Sequence, residues 1–220
     1  MPEQLNTQPP IAALTGVVLA GGAARRMGGR DKGLIPFRGR PLASYALAAL
    51  ARVAGSVLIN ANRNIDAYAQ LGYPVIGDGN ARYDGPLAGM LAALRAARTP
   101  YVLVVPCDCP LLQPAQLRQL YEVLLAKQAE VCAAHDGVWL NPVFAVLKTT
   151  LADSLQVYMD QGGRKAETWL RQHVLAIADF AAAPELFRSA NTPEELQALE
   201  MLAAVRRPAY DDGYFADTLH

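Results

Sequence analysis

Short apolar runs, each stopping at a polar cluster, constrain this chain more than any other feature. Residues 15–19 (TGVVL) stop at Gly21-Gly22, and 57–59 stop at Asn60-Ala61-Asn62-Arg63. Residues 74–76 stop at Gly77-Asp78-Gly79, and 101–105 (YVLVV) stop at Pro106-Cys107-Asp108. Runs this short, uncharged and β-branched suit strands buried on both faces. Between them lie helical signals. Pro41, Pro86 and Pro114 stand where a helix would open, which predicts helices from 41 to about 50, over 86–97 and over 114–127, with a further one over 65–71. Strands alternating with helices predict an α/β fold: a Rossmann-like, mostly parallel (mixed) sheet with helices on both faces. The polar clusters then share the C-terminal rim of the sheet, where open α/β sheets bind ligands.

The second half is less regular. Residues 131–134 and 143–147, around Asp136-Gly137, predict a strand pair, and 174–178 a late strand. Thr192-Pro193-Glu194-Glu195 is a capping box that opens a final helix to about Ala204. One domain is expected over 15–207, between flexible tails at 1–14 and 208–220. Its nucleotide-binding half would run over about 15–128 and its second-substrate half over about 129–207.

Composition removes several function classes. Twenty Lys and Arg balance 20 Asp and Glu, so there is no general basic face for nucleic acid. No apolar stretch of about 18 residues would span a membrane, and the polar start lacks a signal-peptide pattern. Three cysteines make no disulfide framework, and the cytoplasm is the expected compartment. Cys107 and Cys109, with no second pair, make a poor zinc site. No Gly-x-Ser-x-Gly elbow exists, and His135, His173 and His220 fit no catalytic arrangement.

What remains points to phosphates. In Leu19-Ala20-Gly21-Gly22-Ala23-Ala24-Arg25-Arg26-Met27-Gly28-Gly29-Arg30-Asp31-Lys32, glycines let the backbone approach a ligand, and four cations crowd one loop. A triphosphate with a pyrophosphate leaving group suits that charge; a solvated surface loop is the alternative. The loop matches neither the P-loop nor the dinucleotide-binding pattern. Asp108 at a strand end suits Mg2+, which takes one or two carboxylates and completes its shell with phosphates and water; a turn aspartate is the alternative. Asn60 and Asp78 suit base or sugar recognition or, equally, loop capping. Gly85-Pro86-Leu87-Ala88-Gly89 is a helix start open to an anion or a base edge, or simply a helix start. For a second, anionic substrate the candidates are Asn141, Arg164 (beside Lys165) and Asn191; for Arg164 and Lys165 a solvated helix start is the equal alternative.

The pattern Leu-Ala-Gly-Gly-x-x-x-Arg-Met-Gly-x-x-Lys, from Leu19 through Arg26 to Lys32, resembles the signature loop of Rossmann-like nucleotidyltransferases. With Asp31-Lys32-Gly33 and Gly85-Pro86-Leu87-Ala88-Gly89, it resembles the molybdenum cofactor guanylyltransferase family. The resemblance spans roughly residues 15–204. It implies transfer of GMP from GTP to the phosphate of molybdopterin, with Arg26 and Lys32 on the leaving pyrophosphate and Mg2+ on Asp108. It implies nucleotide contacts from Leu19, Ala20, Gly21, Gly22, Lys32, Asn60, Asp78, Gly85, Pro86, Leu87 and Asp108. Guanine is implied by Gly-Pro-Leu-Ala-Gly, since relatives that use CTP differ there. The family's Asn-x-Asn-Thr-Pro-Glu-Glu segment has Ser189 at its first asparagine and keeps Asn191. GTP and molybdopterin are thus the expected partners of a monomer that makes transient contact with cofactor-synthesis and molybdoenzyme-maturation proteins. CTP or a sugar phosphate as substrate, or a non-catalytic cofactor-delivery role, are the other expectations.

Overall fold

The computed structural model describes residues 8–20, 31–79 and 85–205. The chain runs through β1 (Ile11–Leu19), the short hairpin strands β2 (Pro36–Phe37) and β3 (Arg40–Pro41), α1 (Leu42–Ala51), β4 (Ala54–Asn60), α2 (Ile65–Ala69), β5 (Val75–Ile76) and α3 (Pro86–Ala96). It continues through β6 (Tyr101–Pro106), α4 (Pro114–Ala126), β7 (Val131–His135), β8 (Leu140–Lys148), α5 (Ala152–Asp160), α6 (Ala166–Leu170), β9 (Leu175–Asp179) and α7 (Pro193–Val205). The main sheet has seven strands in the order β5-β4-β1-β6-β8-β7-β9. β8 runs antiparallel to β6 and β7, and every other pairing in that sheet is parallel. This is the mixed, mostly parallel sheet expected.

Helices cover both faces because the strand residues alternate between two cores. Val17, Val102, Val104, Val131 and Ala133 face a cluster with Leu87, Met90, Leu155 and Trp169, from α3, α5 and α6. Val18, Leu103, Val105, Cys132 and Ala134 face a cluster with Leu47, Leu50, Leu120 and Leu199, from α1, α4 and α7. Each large apolar side chain buried this way contributes roughly 1.5–3 kcal/mol. That burial, more than helix propensity, holds such short helices. Among the described residues, no helix is long and apolar enough to cross a membrane.

The structure departs from expectation at element starts. β1 begins at Ile11, ahead of Thr15. Ile11 N–H donates to Val53 O at 2.7 Å, and the Arg118 guanidinium holds Pro9 O at 2.8 Å, so residues that read as tail are tied down. Pro41 does not open α1. It pairs with Pro36 in the β2–β3 hairpin, whose turn uses Arg38 and Gly39 at φ 46° and 82°, and the helix begins at Leu42. α6 opens where Arg164-Lys165 allowed a helix start, with Lys165 at its cap, whereas α5 was not foreseen. In α5 only Leu155 and Met159 are buried, which is too few for a visible helical period.

Candidate active site

The strand order reverses between β1 and β6, which sets a crevice at the C-terminal ends of those strands. Register makes the rim level: Leu19 pairs with both Asn60 and Pro106, and Asn60 pairs with Ile76. Leu19 O accepts from Cys107 N–H at 3.2 Å, and Ala20 N–H donates to Asn60 O at 2.8 Å. These bonds close the rim and occupy two of the backbone groups expected to face a nucleotide. Gly21, Gly22 and Arg26, also expected here, lie outside the described residues.

Lys32 opens a short 3₁₀ turn and joins residues far apart in sequence. Its Nζ donates to Asp108 Oδ2 at 2.5 Å and to Asn191 Oδ1 at 2.6 Å. Asn191 Nδ2 in turn reaches Ser189 Oγ at 2.6 Å, so the hydroxyl at the family's first asparagine position is an acceptor within the cluster. The side chains of Lys32 and Asp108 keep 19% and 10% of their exposure, enough to meet a ligand from the rim. Local folding fixes the partners. Asp108 O accepts from Ala190 N–H at 3.1 Å. The capping box of α7 holds Asn191: Thr192 Oγ1 accepts from Glu195 N–H, while the Glu195 carboxylate accepts from the Asn191 N–H at 2.7 Å. The cap's return bond thus goes one residue upstream of Thr192, onto the site residue itself.

A second cluster sits at the ends of β4 and β5. Asn60, 2% exposed, donates from Nδ2 to Asp78 Oδ1 at 2.7 Å. Asn62 donates to Asp78 Oδ2 at 2.5 Å and accepts from Asp78 N–H at 2.9 Å. Asn62 was not singled out from sequence; its spacing of two from Asn60, where β4 ends, is the signal that would have found it. Gly85 caps α3 at φ 71°, a conformation that favours glycine, and Pro86 takes the first helical position. Leu87 is buried. One turn on, a Cβ at Gly89 would lie 2.4 Å from Asn60 Oδ1 and 3.0 Å from a Leu19 methyl. Gly89→Ala is therefore expected to displace the Asn60 amide from Asp78 and to lower stability by about 1–3 kcal/mol, read from the denaturant midpoint. An unchanged midpoint would show that the amide has room to move.

The other candidates for a second substrate are used differently. Asn141 Nδ2 donates to Asp136 Oδ2 and Trp139 O, bracing the turn between β7 and β8. The Asp136 carboxylate also accepts from the Trp139 and Val138 N–H groups, and these bonds hold it below its ordinary range. What they add to the turn is present above that range and is lost as pH falls through the lowered value. Arg164 caps the end of α5 through Met159 O and Gly163 O. Of the three candidates, Asn191 is the one bonded to Lys32.

His173 Nε2 lies 3.2 Å from Ser154 Oγ, and its Nδ1 lies 3.7 Å from Glu130. The Trp169 indole donates to the same Oγ, and Glu130 accepts from Val174 N–H, so this row ties α5 and α6 to the starts of β7 and β9. All three cysteines are buried free thiols. Burial raises each one: Cys132 is pushed up to about 12, and Cys107 and Cys109, beside the Asp108 charge, stand well above the ordinary value. A neutral thiol is a weak nucleophile, and among the described residues no group of three or more His, Cys, Asp or Glu side chains could hold a metal alone.

A family model described as the MobA-like NTP transferase domain matches residues 16–178. The molybdenum cofactor guanylyltransferase of Shewanella frigidimarina is 45% identical over 183 residues, covering 83% of this chain and 93% of that protein. The protein of the same name from Shewanella sediminis is 44% identical with the same coverage. Among solved structures, molybdopterin-guanine dinucleotide biosynthesis protein A from Archaeoglobus fulgidus superposes with a TM-score of 0.74 at 22% identity, covering 87% of this chain and 99% of that one. A nucleotidyl transferase from Methanothermobacter thermautotroptrophicus gives 0.67 at 19% identity, covering 88% and 98%. At those identities the likeness is one of fold.

Proposed function

The chain belongs to the molybdenum cofactor guanylyltransferases, within the MobA-like NTP transferase family, and from that premise we propose that this nucleotidyltransferase moves GMP from GTP to the terminal phosphate of molybdopterin. The observation that carries the proposal is the contact of Lys32 with both Asp108 and Asn191 at the β1–β6 rim. A phosphate monoester loses its second proton near pH 6, so the acceptor oxygen arrives charged and needs no general base. It attacks the α-phosphorus of GTP in line. The bond from that phosphorus to the bridging oxygen breaks, its electron pair stays on the oxygen, and pyrophosphate leaves. Lys32 donates to the leaving oxygens, and Arg26 is assigned the same role. Asn191 and Asp108 hold the Lys32 amine at the place where charge develops, so catalysis is positioning plus electrostatics.

Asp108 would hold Mg2+. A lone carboxylate beside a phosphate site fits that ion, which draws its remaining ligands from phosphate oxygens and water. When bound, it supplies neutralisation of phosphate charge. Asp78 and Asn60 would read the base or ribose, with Asn62 holding Asp78 still. Leu19, Gly85, Pro86 and Leu87 would shape the slot, and Gly21 and Gly22 would approach the phosphates. Asn141 and Arg164 would bear on the pterin through the amide oxygen and the guanidinium N–H groups other than Nη1, since Asn141 Nδ2 and Arg164 Nη1 bond within the chain. The buried free thiols suit a cytoplasmic enzyme.

The test is pyrophosphate release by the purified chain with molybdopterin and Mg2+, supplied in turn with GTP, CTP and ATP. GTP is expected to be used at least about a hundredfold better than CTP, as buried hydrogen-bond recognition allows. Equal use of CTP would sink the guanine assignment, and no release with any nucleotide would sink the enzyme.

A further inference from the structure

We infer that Asp31 and Tyr68 are positioning residues for Lys32, fixing the backbone from which the lysine reaches Asp108. Asp31 is 8% exposed, and a buried polar side chain costs free energy unless it is partnered. Its Oδ1 accepts from the Tyr68 hydroxyl at 2.5 Å. Its Oδ2 accepts from Asn64 Nδ2 at 3.0 Å and pairs with the Arg63 guanidinium at 3.3 Å. Both oxygens are thus engaged by donors of this chain, so Asp31 is filled by the protein and acts through its neighbour.

The donors stand on one segment, from the end of β4 into α2. Tyr68 is fully buried, and burial, with Cys107 and Asp31 nearby, keeps its phenol protonated as a permanent donor. Asn64 takes φ 51°, a left-handed conformation that asparagine tolerates better than most residues. On the far side of Lys32, a Cβ at Gly33 would lie 2.5 Å from the Tyr68 oxygen, so the chain passes directly over the phenol. Leu34 N–H then returns to Asp31 O at 3.1 Å. Lys32 therefore leaves a backbone pinned before it by a carboxylate and after it by a turn. The segment that presents Asn60 and Asn62 to Asp78 also presents Arg63, Asn64 and Tyr68 to Asp31. One stretch of chain sets both halves of the nucleotide site.

A shift of about 1 Å in a group that stabilises a transition state costs up to about a hundredfold in rate. Tyr68→Phe removes the hydroxyl and keeps the ring. It is expected to lower kcat/KM for GTP about tenfold with Lys32 present and less than about twofold in the Lys32→Ala chain, because the two changes share one path. Equal losses in both backgrounds, or no loss with Lys32 present, would overturn the inference. This kinetic arm rests on GTP as substrate, so a second arm does not. Modification of the Lys32 amine by a lysine reagent, without nucleotide, is expected to run several-fold faster in Tyr68→Phe and in Asp31→Asn. Unchanged labelling in both variants overturns the inference whatever the substrate. Faster labelling in a chain that releases no pyrophosphate from GTP would leave the positioning intact and remove GTP.

Discussion

With Asp108 replaced by alanine, pyrophosphate release from GTP is expected to fall by about a thousandfold or more, with the folded state intact. The size follows from what is lost: a fixed charge at a site where phosphate charge is redistributed, whose removal costs at least as much as one preorganised donor. Folding survives because the neighbouring contacts are made by backbone: Cys107 N–H bonds Leu19 O, and Asp108 O accepts from Ala190 N–H. Lys32 keeps its bond to Asn191. The check is single-turnover kinetics at saturating Mg2+, beside a thermal melt. Wild-type turnover in the variant would remove both the metal assignment and the carboxylate's role. A collapsed melt would make Asp108 a structural residue.

Lys32→Ala is expected to cost about a hundredfold in kcat/KM for GTP, with part of that loss visible as weaker binding in a calorimetric titration. An ammonium held by a carboxylate and an amide is directed in a way that a solvated lysine is not, so its contribution exceeds that of a surface charge. Arginine would not restore it, because a planar fork does not fit the compact geometry of one nitrogen between Asp108 Oδ2 and Asn191 Oδ1. Unchanged affinity and turnover in Lys32→Ala would take the lysine out of the site.

Much of this was visible in the chain's punctuation. A buried strand that stops at a glycine pair, an asparagine or a Pro-Cys-Asp announces where the sheet ends, because only that rim exposes polar residues beside a fully apolar core. Asn60, Asp78 and Asp108 were located that way, and register confirms that Asn60 and Asp78 share one cluster. What stayed hidden depends on contacts across long separations. Nothing local to Tyr68 reveals that its hydroxyl meets Asp31, since an amphipathic tyrosine reads as core. Asn62 stood inside a polar run, where only its spacing of two from Asn60 set it apart from a loop residue. Arg164 beside glycines suited an anion site or a helix start, and its guanidinium instead reaches back to Met159 O in the last turn of α5 and to Gly163 O just beyond it. Pro41 misled for a related reason: a proline suits both a first helical position and an edge strand, and the pairing with Pro36 chose the second.

The contacts of Lys32 span 76 residues to Asp108 and 159 to Asn191. β1, β4 and β5 all precede β6 and the helix beside Asn191 in the chain, and β1 is paired on its other side by β6. The Lys32 cluster therefore cannot exist in any fragment that stops short of Asn191: it is a property of the assembled fold, not of the loop that carries the lysine.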